Sequence, residues 1–484
     1  MSQIELADNP LVHRYAGKEM GELWGPLRKF RTWRRLWIAL AEAQSELGLT
    51  AADGVTPRIG HRQIEELRKH ADTIDFAKAE AYEKRFHHDV MAHIHSYGDD
   101  CPDAREIIHL GATSCYVTDN TDLLLMREGL QLLRGRLLAV IKVLAEFART
   151  HRAVATLGFT HFQPAQLTTV GKRACLWCHD FVMDLEEVEH RLQLLRFRGA
   201  KGTTGTQASF LALFRGNHQT VRQLDALVAK KMGFDEVIPV TGQTYSRKVD
   251  SQVLDCLSGI CQSAHKYGTD LRLLAHLREI EEAFGEEQVG SSAMPYKRNP
   301  MRAERMCSLA RFGSNLATNA AQTAATQWLE RTLDDSANRR LVLPQAFLTA
   351  DAVLRLAINI SRGLGVNREI IRSHVDEALP YMATENVMMS AVAGGADRQI
   401  VHERIRQHSI AATEAMKMTG EKNDLLERLA ADPLFRAVDH RKAASTESFV
   451  GRAPQQVDEF LTEVISPIQK RCPHEVQQDS DVQI

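Results

Sequence analysis

Hydrophobic residues recur at spacings of three and four positions through long stretches in the middle of the chain. Between Asp122 and Thr150 this spacing persists for about eight turns, which is typical of an amphipathic helix with one buried face. The same pattern runs through 167–198, 245–284 and 301–329. A fifth stretch, 335–364, contains Pro344, which predicts a helix broken at that residue. Five long helices predict an all-α protein built around a helical bundle.

Strand patterns are sparse by comparison. Val237–Val240 is a short run rich in β-branched residues, and alternation lasts only a few residues anywhere else. The stretches before and after the long helices have shorter periods and more turn residues. We therefore predict three helical domains, at 1–113, 114–365 and 366–484, and a flexible tail after Pro473, where the sequence is polar and lacks aromatic residues.

Composition narrows the class of protein. A chain of 484 residues exceeds one ordinary core, so two to four structural units are expected. The net charge of −2 gives no global field that favours nucleic acid or an anionic membrane. No uninterrupted apolar run reaches the ~20 residues of a membrane span, and the first ten residues carry acidic side chains where a signal peptide has basic ones. A soluble, cytosolic protein is expected.

The eight cysteines are scattered, and so long a chain without a signal peptide favours free thiols over a disulfide framework. Cys175 and Cys178 form a CxxC pair, but it lies within a helical pattern and no second pair completes a zinc site. The histidine-rich run from His87 to His95 contains only one ligand pair at helical spacing, Asp89 with His93, so it does not predict a metal site.

The run Gly290–Pro300, GSSAMPYKRNP, carries the most chemistry. Its glycine, serines and prolines interrupt the helical pattern on both sides and predict a surface loop. The loop holds two hydroxyls, Ser291 and Ser292, and two fixed cations, Lys297 and Arg298, so it is equipped to handle an anion. Read alone, the serine pair is more typical of a cap or turn than of a catalytic group.

This loop closely resembles the signature GSSxMPxKxNP of the fumarase/aspartase superfamily, whose members eliminate fumarate from a succinyl group. Four further segments narrow the resemblance to the adenylosuccinate lyase family of animals: HLGATS at 109–114, GFTHFQPAQ at 158–166, KGTTGTQASF at 201–210 and ERTLDDSANRR at 330–340. The resemblance runs from about Arg14 to the early 460s. It implies a homotetramer with a twenty-helix core, active sites shared between subunits, and no cofactor or metal.

The resemblance also assigns catalytic roles. Ser291 corresponds to the base, Lys297 to the conserved lysine of the loop, and His161 to the general acid, with Glu304 as its carboxylate partner. An unperturbed histidine pKa of about 6.5 suits a general acid at neutral pH, although a lone histidine is more often a satisfied core residue.

A set of further residues matches positions that the family uses to bind substrate: Arg14, Tyr15, His87, His88, Asp89, Thr113, Ser114, Gln243, Arg305, Arg331, Ser336 and Arg340. His87 departs from the pattern, since relatives often carry arginine there. The arginines at 331, 339 and 340 have an alternative interpretation, in which they pair with Asp334 and Asp335 or with a helix end.

The resemblance implies release of fumarate from adenylosuccinate and from the succinylated aminoimidazole carboxamide ribotide, SAICAR. Two alternatives stay open at the level of sequence. One is argininosuccinate lyase or another superfamily member; the substrate of argininosuccinate lyase bears no phosphate, and the segment ERTLDDSANRR separates this chain from that enzyme. The other is a non-catalytic scaffold of the same fold, against which intact Ser291, Lys297 and His161 argue.

Overall fold

Helices dominate the structure, a computed structural model that describes residues 9–284, 293–294 and 296–472. The predictions that concern Ser291 and the tail beyond Pro473 lie outside the described residues. The all-α architecture predicted from the helical pattern is confirmed, since helices make up most of the described residues. The three-domain division stays a prediction.

The first part of the chain forms helices of short and medium length. Some of them line the candidate site that is described below. Helix α2 opens with Pro26 directly after Gly25, and it buries Trp33 and Trp37 completely or nearly so. The helices of this part are α1 (Lys18–Leu23), α2 (Pro26–Glu46), α3 (His61–Lys69), α4 (Phe76–Phe86) and α5 (Asp89–Asp100).

All five predicted long helices are present in the central part. They are α6 (Cys115–Thr150), α7 (Val170–Leu194), α10 (Lys248–His276), α11 (Met301–Ala325) and α12 (Asp334–Arg362). Two shorter helices, α8 (Ala208–Leu213) and α9 (His218–Lys231), lie between α7 and α10.

The predicted break at Pro344 is wrong, because α12 continues through that residue. Helix α12 packs against α6, α10 and α11, and this tertiary packing outweighs the backbone hydrogen bond that proline removes. By length and composition α12 could also cross a membrane, but 78% of its most apolar window is buried inside the protein. Buried core helices often have the length and hydropathy of a membrane span.

A β-hairpin joins α6 to α7, which the sequence pattern did not predict. Strand β1 (Ala155–Thr160) pairs antiparallel with β2 (Gln163–Thr169), and Thr160 faces Gln163 across a two-residue turn. A second pair consists of β3 (Ile280–Glu281) and β4 (Gly365–Val366). The predicted strand at Val237–Val240 is wrong, since only Val237 forms a single bridge, with Phe197.

The last part of the chain is again made of shorter helices with a small core of their own around Val387, Val401, Leu425 and Phe435. These helices are α13 (Arg368–Ala393), α14 (Arg398–Thr419), α15 (Leu425–Ala431), α16 (His440–Ala443), α17 (Thr446–Phe449), α18 (Ala453–Phe460) and α19 (Ser466–Arg471). The final segment returns to the main core through Val457, Ile465 and Ile468.

Candidate functional site

A cavity of about 630 Å³ lies where four helices begin. The first residues of α2, α5, α6 and α12 form its walls, and eight of the twelve predicted substrate-binding residues line it. These eight are His88, Asp89, Thr113, Ser114, Gln243, Arg331, Ser336 and Arg340.

The converging helix starts give the cavity a positive electrostatic character. The N-terminal end of a helix presents unpaired backbone N–H groups and the positive pole of the helix dipole, which together stabilise a bound anion. Helices α6 and α12 are 36 and 29 residues long, so each presents a fully developed dipole. Hydroxyl groups of Thr113, Ser114 and Ser336 stand at the same ends as further hydrogen-bond donors.

Two predicted arginines approach the cavity without pairing to the acidic residues beside them in sequence. Arg331 donates to the Sγ atom of Cys115 at 2.6 Å, and it forms no ion pair with a carboxylate in the described part of the chain. Arg340 donates to Asp89 at 2.9 Å, and its side chain remains 58% exposed. The alternative pairing with Asp334 or Asp335 is therefore wrong for both arginines.

Beneath the cavity lies a buried network of charges that fixes its floor. Arg247 binds Asp119 through two hydrogen bonds of 3.1 Å and Asp335 through one of 2.6 Å. Burial alone would raise the pKa of Asp119, but the nearby guanidinium groups, Arg247 foremost, outweigh it and lower that pKa. Asp119 therefore stays ionised, and both carboxylates pair with the protein's own Arg247.

The second arginine of this floor is Arg339, which is buried. It donates to Asp250 at 2.7 Å and lies 2.9 Å from Asp122. The phenol of Tyr245 accepts from Arg339 at 2.5 Å and donates to Asp250 at 2.6 Å. Sequence reasoning missed this network; its only local signal is a polar trio, Asp119 to Thr121, inside an otherwise apolar helix.

His88 caps the start of α5. Its Nδ1 accepts a hydrogen bond from the backbone N–H of Met91 at 3.3 Å, so the neutral ring carries its proton on Nε2. That Nε2 lies 3.4 Å from the hydroxyl of Ser114 at the cavity wall. Behind it, burial lowers the pKa of His109 to about 4, so this second histidine is uncharged at neutral pH.

The general-acid candidate His161 lies elsewhere, at the tip of the β1–β2 hairpin. His161 and Phe162 are the two turn residues, with φ of 53° and 58°, the positive values that a type I′ hairpin turn requires. Neither is glycine or asparagine, so the turn holds strain of the kind found at functional sites. Both side chains are exposed, and His161 is not among the residues that line the cavity.

A third group forms around Tyr15. The guanidinium groups of Arg14 and Arg305 lie 5.9 and 5.7 Å from the centre of its ring. Glu304 stands beside Arg305 in the first turn of α11, with its side chain exposed. Lys297 is exposed as well, and its backbone N–H donates to the carbonyl of Met294 at 3.0 Å.

The Tyr15 group lies far from the cavity within one chain. The carbonyl of Tyr15 accepts from Arg355 at 3.0 Å, and Arg355 follows Arg340 by fifteen residues of α12, or about 22 Å. His87 also stays outside the cavity lining, because it ends α4 in the left-handed conformation with φ of 53°. The roles predicted for Arg14, Tyr15, His87, Lys297, Glu304 and Arg305 stay predictions.

All eight cysteines are free, as the sequence predicted, and all of them are buried. In the described residues, no group of three or more histidine, cysteine, aspartate or glutamate side chains is arranged to hold a metal ion.

Comparisons with known proteins point to one family. A family model described as lyase matches residues 28–311, and one described as adenylosuccinate lyase C-terminus matches residues 380–460. The chain is 51% identical to an adenylosuccinate lyase of Saccharomyces cerevisiae, covering 95% of this chain and 96% of that protein. For the adenylosuccinate lyase of Schistosoma mansoni the identity is 46%, with 96% of each chain covered.

Solved structures at lower identity show the fold. The fumarate lyase of Mesorhizobium sp. BNC1 aligns with a TM-score of 0.77 at 22% identity, over 94% of this chain and 99% of that one. The 3-carboxy-cis,cis-muconate lactonizing enzyme of Pseudomonas putida aligns with a TM-score of 0.81 at 20% identity, with the same coverage. Both support the all-α assignment made from the helical pattern.

Proposed function

The chain belongs to the adenylosuccinate lyase family, and we propose that the cavity at the four helix starts receives the phosphate-bearing end of its substrate. As a carbon–nitrogen lyase of this family, it eliminates fumarate from adenylosuccinate to leave AMP and from SAICAR to leave the aminoimidazole carboxamide ribotide. The argininosuccinate alternative is thereby set aside.

The assignment of the cavity rests on cationic side chains that the carboxylates of the described residues do not fully neutralise. The floor arginines are neutralised by their own carboxylates. Among the described residues, Arg331 has no carboxylate partner and Arg340 pairs only with Asp89. Charge-assisted hydrogen bonds from arginine to phosphate are short and strong. Added to the helix dipoles, they suit a dianionic phosphate ester better than a neutral ribose or base.

The elimination itself needs three groups. A base removes a proton from the carbon beside a carboxylate, that carboxylate stabilises the extra charge, and an acid protonates the departing nitrogen. In our proposal Ser291 is the base, Lys297 supports the developing aci-carboxylate, and His161 returns a proton to the nitrogen, with Glu304 as its carboxylate partner. The exposed position of His161 at a strained hairpin tip supports its role as a group presented to a site.

We further propose a cytosolic homotetramer whose active sites combine residues from different subunits. Within one chain the Tyr15 group lies away from the cavity and His161 is not among the cavity-lining residues, which supports a site completed by neighbouring copies. The bundle also keeps large apolar side chains exposed along its helices, which is expected of surfaces that another subunit covers. These side chains are Leu176, Met183, Leu273 and Phe312.

The proposed function is tested with purified protein by following the absorbance change as adenylosuccinate is converted to AMP. Argininosuccinate serves as the control substrate, because it carries the succinyl group without a phosphate. Turnover of adenylosuccinate alone is expected. Turnover of argininosuccinate, or of neither substrate, would contradict the proposal.

A further inference from the structure

We propose that Lys29, at the start of α2, is a direct ligand of the substrate's phosphomonoester group, alongside Arg331 and Arg340. The inference rests on the proposed function, since it adds a residue to the cavity assigned there. Lys29 was not among the residues singled out from the sequence, where it falls in a basic stretch, KFRTWRR, typical of a solvated helix face.

The position of Lys29 is fixed by the aromatic residues beside it. Its Nζ lies 5.0 Å from the ring centre of Trp33 and 5.2 Å from that of Phe30. Trp33 is fully buried, so its ring is held in place beside the Lys29 ammonium group. Cation–π contacts of this length hold an ammonium group in place without neutralising its charge. The side chain lines the same cavity as Arg331, Arg340 and Ser336.

The surroundings of Lys29 are unfavourable for an isolated cation. It is the fourth residue of α2, so the positive end of that helix dipole lies close by. Burial and, next, the neighbouring Arg340 guanidinium lower the pKa of its ammonium group. Such a group is normally paired or exposed.

Yet the described residues offer Lys29 no hydrogen bond or ion pair. Glu83 attracts it more weakly than two carboxylates that line the cavity, those of Asp122 and Asp89. Each is already engaged, Asp122 by Arg339 and Asp89 by Arg340, at 2.9 Å in both cases. A half-buried, uncompensated ammonium group that faces a cavity is what a binding site for an external anion requires.

Phosphate fits this place better than the succinyl carboxylates. Lys29 lines the same cavity as Arg331 and Arg340, and the hydroxyl-bearing residues Ser114 and Ser336 line it too. Three cations and several hydroxyls match the two charges and three terminal oxygens of a phosphomonoester. A single carboxylate would leave most of these donors unused.

The opposing explanation is that Lys29 serves only to pack α2 against its aromatic neighbours. Three variants separate the two roles: Lys29→Met keeps the aliphatic stem and removes the charge, Lys29→Arg keeps the charge, and Lys69→Met removes an exposed lysine on α3 that does not line the cavity. Binding of AMP, adenosine and fumarate to the assembled protein is measured by calorimetry for each.

We expect Lys29→Met to weaken AMP binding at least about tenfold, which is the usual effect of losing a hydrogen bond between charged groups. Adenosine and fumarate should bind as they do to the wild type, Lys29→Arg should recover most of the AMP affinity, and Lys69→Met should change nothing. In turnover, Lys29→Met should raise KM for adenylosuccinate more than it lowers kcat.

Two results would overturn the inference: unchanged AMP affinity in Lys29→Met, or an equal loss of AMP and adenosine binding, which would indicate a packing role. If Lys29→Met does not fold, Lys29→Gln takes its place under the same criteria. Failure of the proposed function is distinguishable, because it shows as a wild type that does not release fumarate. A wild type unable to bind AMP at all would overturn both.

Discussion

Arg247 and Asp119 face each other through two hydrogen bonds of 3.1 Å, although 128 residues separate them in the chain. Both side chains are 1% exposed. The pair joins the start of α10 to the second turn of α6, directly below the cavity. It therefore links the floor of the candidate site to the packing of the bundle.

Replacing Arg247 with methionine should destabilise the fold strongly. The substitution preserves much of the volume but leaves Asp119 and Asp335 buried without their cation, a situation that costs about 3–5 kcal/mol. Urea denaturation at fixed protein concentration measures the loss. Arg406→Met, which removes an exposed arginine paired with Glu403 on α14, is the matched control and should leave stability unchanged. Equal effects of the two variants would contradict the structural role of the buried pair.

Arg331→Ala and Arg340→Ala should each raise KM for adenylosuccinate and weaken inhibition by AMP. Losing one charge-assisted contact to phosphate costs roughly 1.5–3 kcal/mol, or about one to two orders of magnitude in affinity. Binding of fumarate should barely change, since fumarate has no phosphate. Arg222→Ala on the exposed face of α9 serves as the control. Unchanged AMP affinity in both cavity variants would assign these arginines a purely structural role.

Mixing two inactive variants should restore activity if the sites are shared between subunits. We expect Ser291→Ala and His161→Ala to be folded but nearly inactive, because each lacks one proton-transfer group. Dissociating and reassociating a mixture places an intact serine and an intact histidine at some sites. Activity that stays at background, while mass spectrometry confirms mixed tetramers, would rule out the shared site.

Asp184 on α7 should make stability depend on pH. Burial raises the pKa of this carboxyl from 3.8 to about 7, and its Oδ2 has no hydrogen-bond partner in the described residues. The folded protein then holds a proton that the unfolded chain releases, so stability is greatest below the unfolded pKa and falls as pH rises towards 7. Asp184→Asn, which stays neutral, should melt higher than the wild type at pH 8 and show little difference at pH 4. A difference in Tm that is the same at both pH values would contradict this.

The long helices could be predicted because their burial pattern is local. Helix α6 begins at Cys115, seven residues before the predicted start at Asp122. The missed turns contain Asp119, Asn120 and Thr121, which are polar yet buried. Their burial depends on partners such as Arg247, which is remote in sequence, so periodicity alone assigns them to a loop.

The hairpin was missed for a related reason. Its tip residues are mostly exposed on both faces, so the strands lack the alternation by which a half-buried strand is recognised. The cavity residues, in contrast, were identified by family resemblance, and the structure then brought eight of them together. Neither the sequence pattern nor the family resemblance identified Lys29, because only its three-dimensional neighbours distinguish it from an ordinary surface lysine.

The burial of all eight cysteine thiols gives this protein a built-in probe of its own opening. A thiol-specific reagent can reach them only when the structure opens locally or globally, so labelling rates report the free energy of those openings. Cys472 lies in the final segment and Cys178 in the bundle, so mass spectrometry of labelled peptides would distinguish release of the chain end from melting of the core. The order in which the parts of the protein unfold is thus measurable without introducing a mutation.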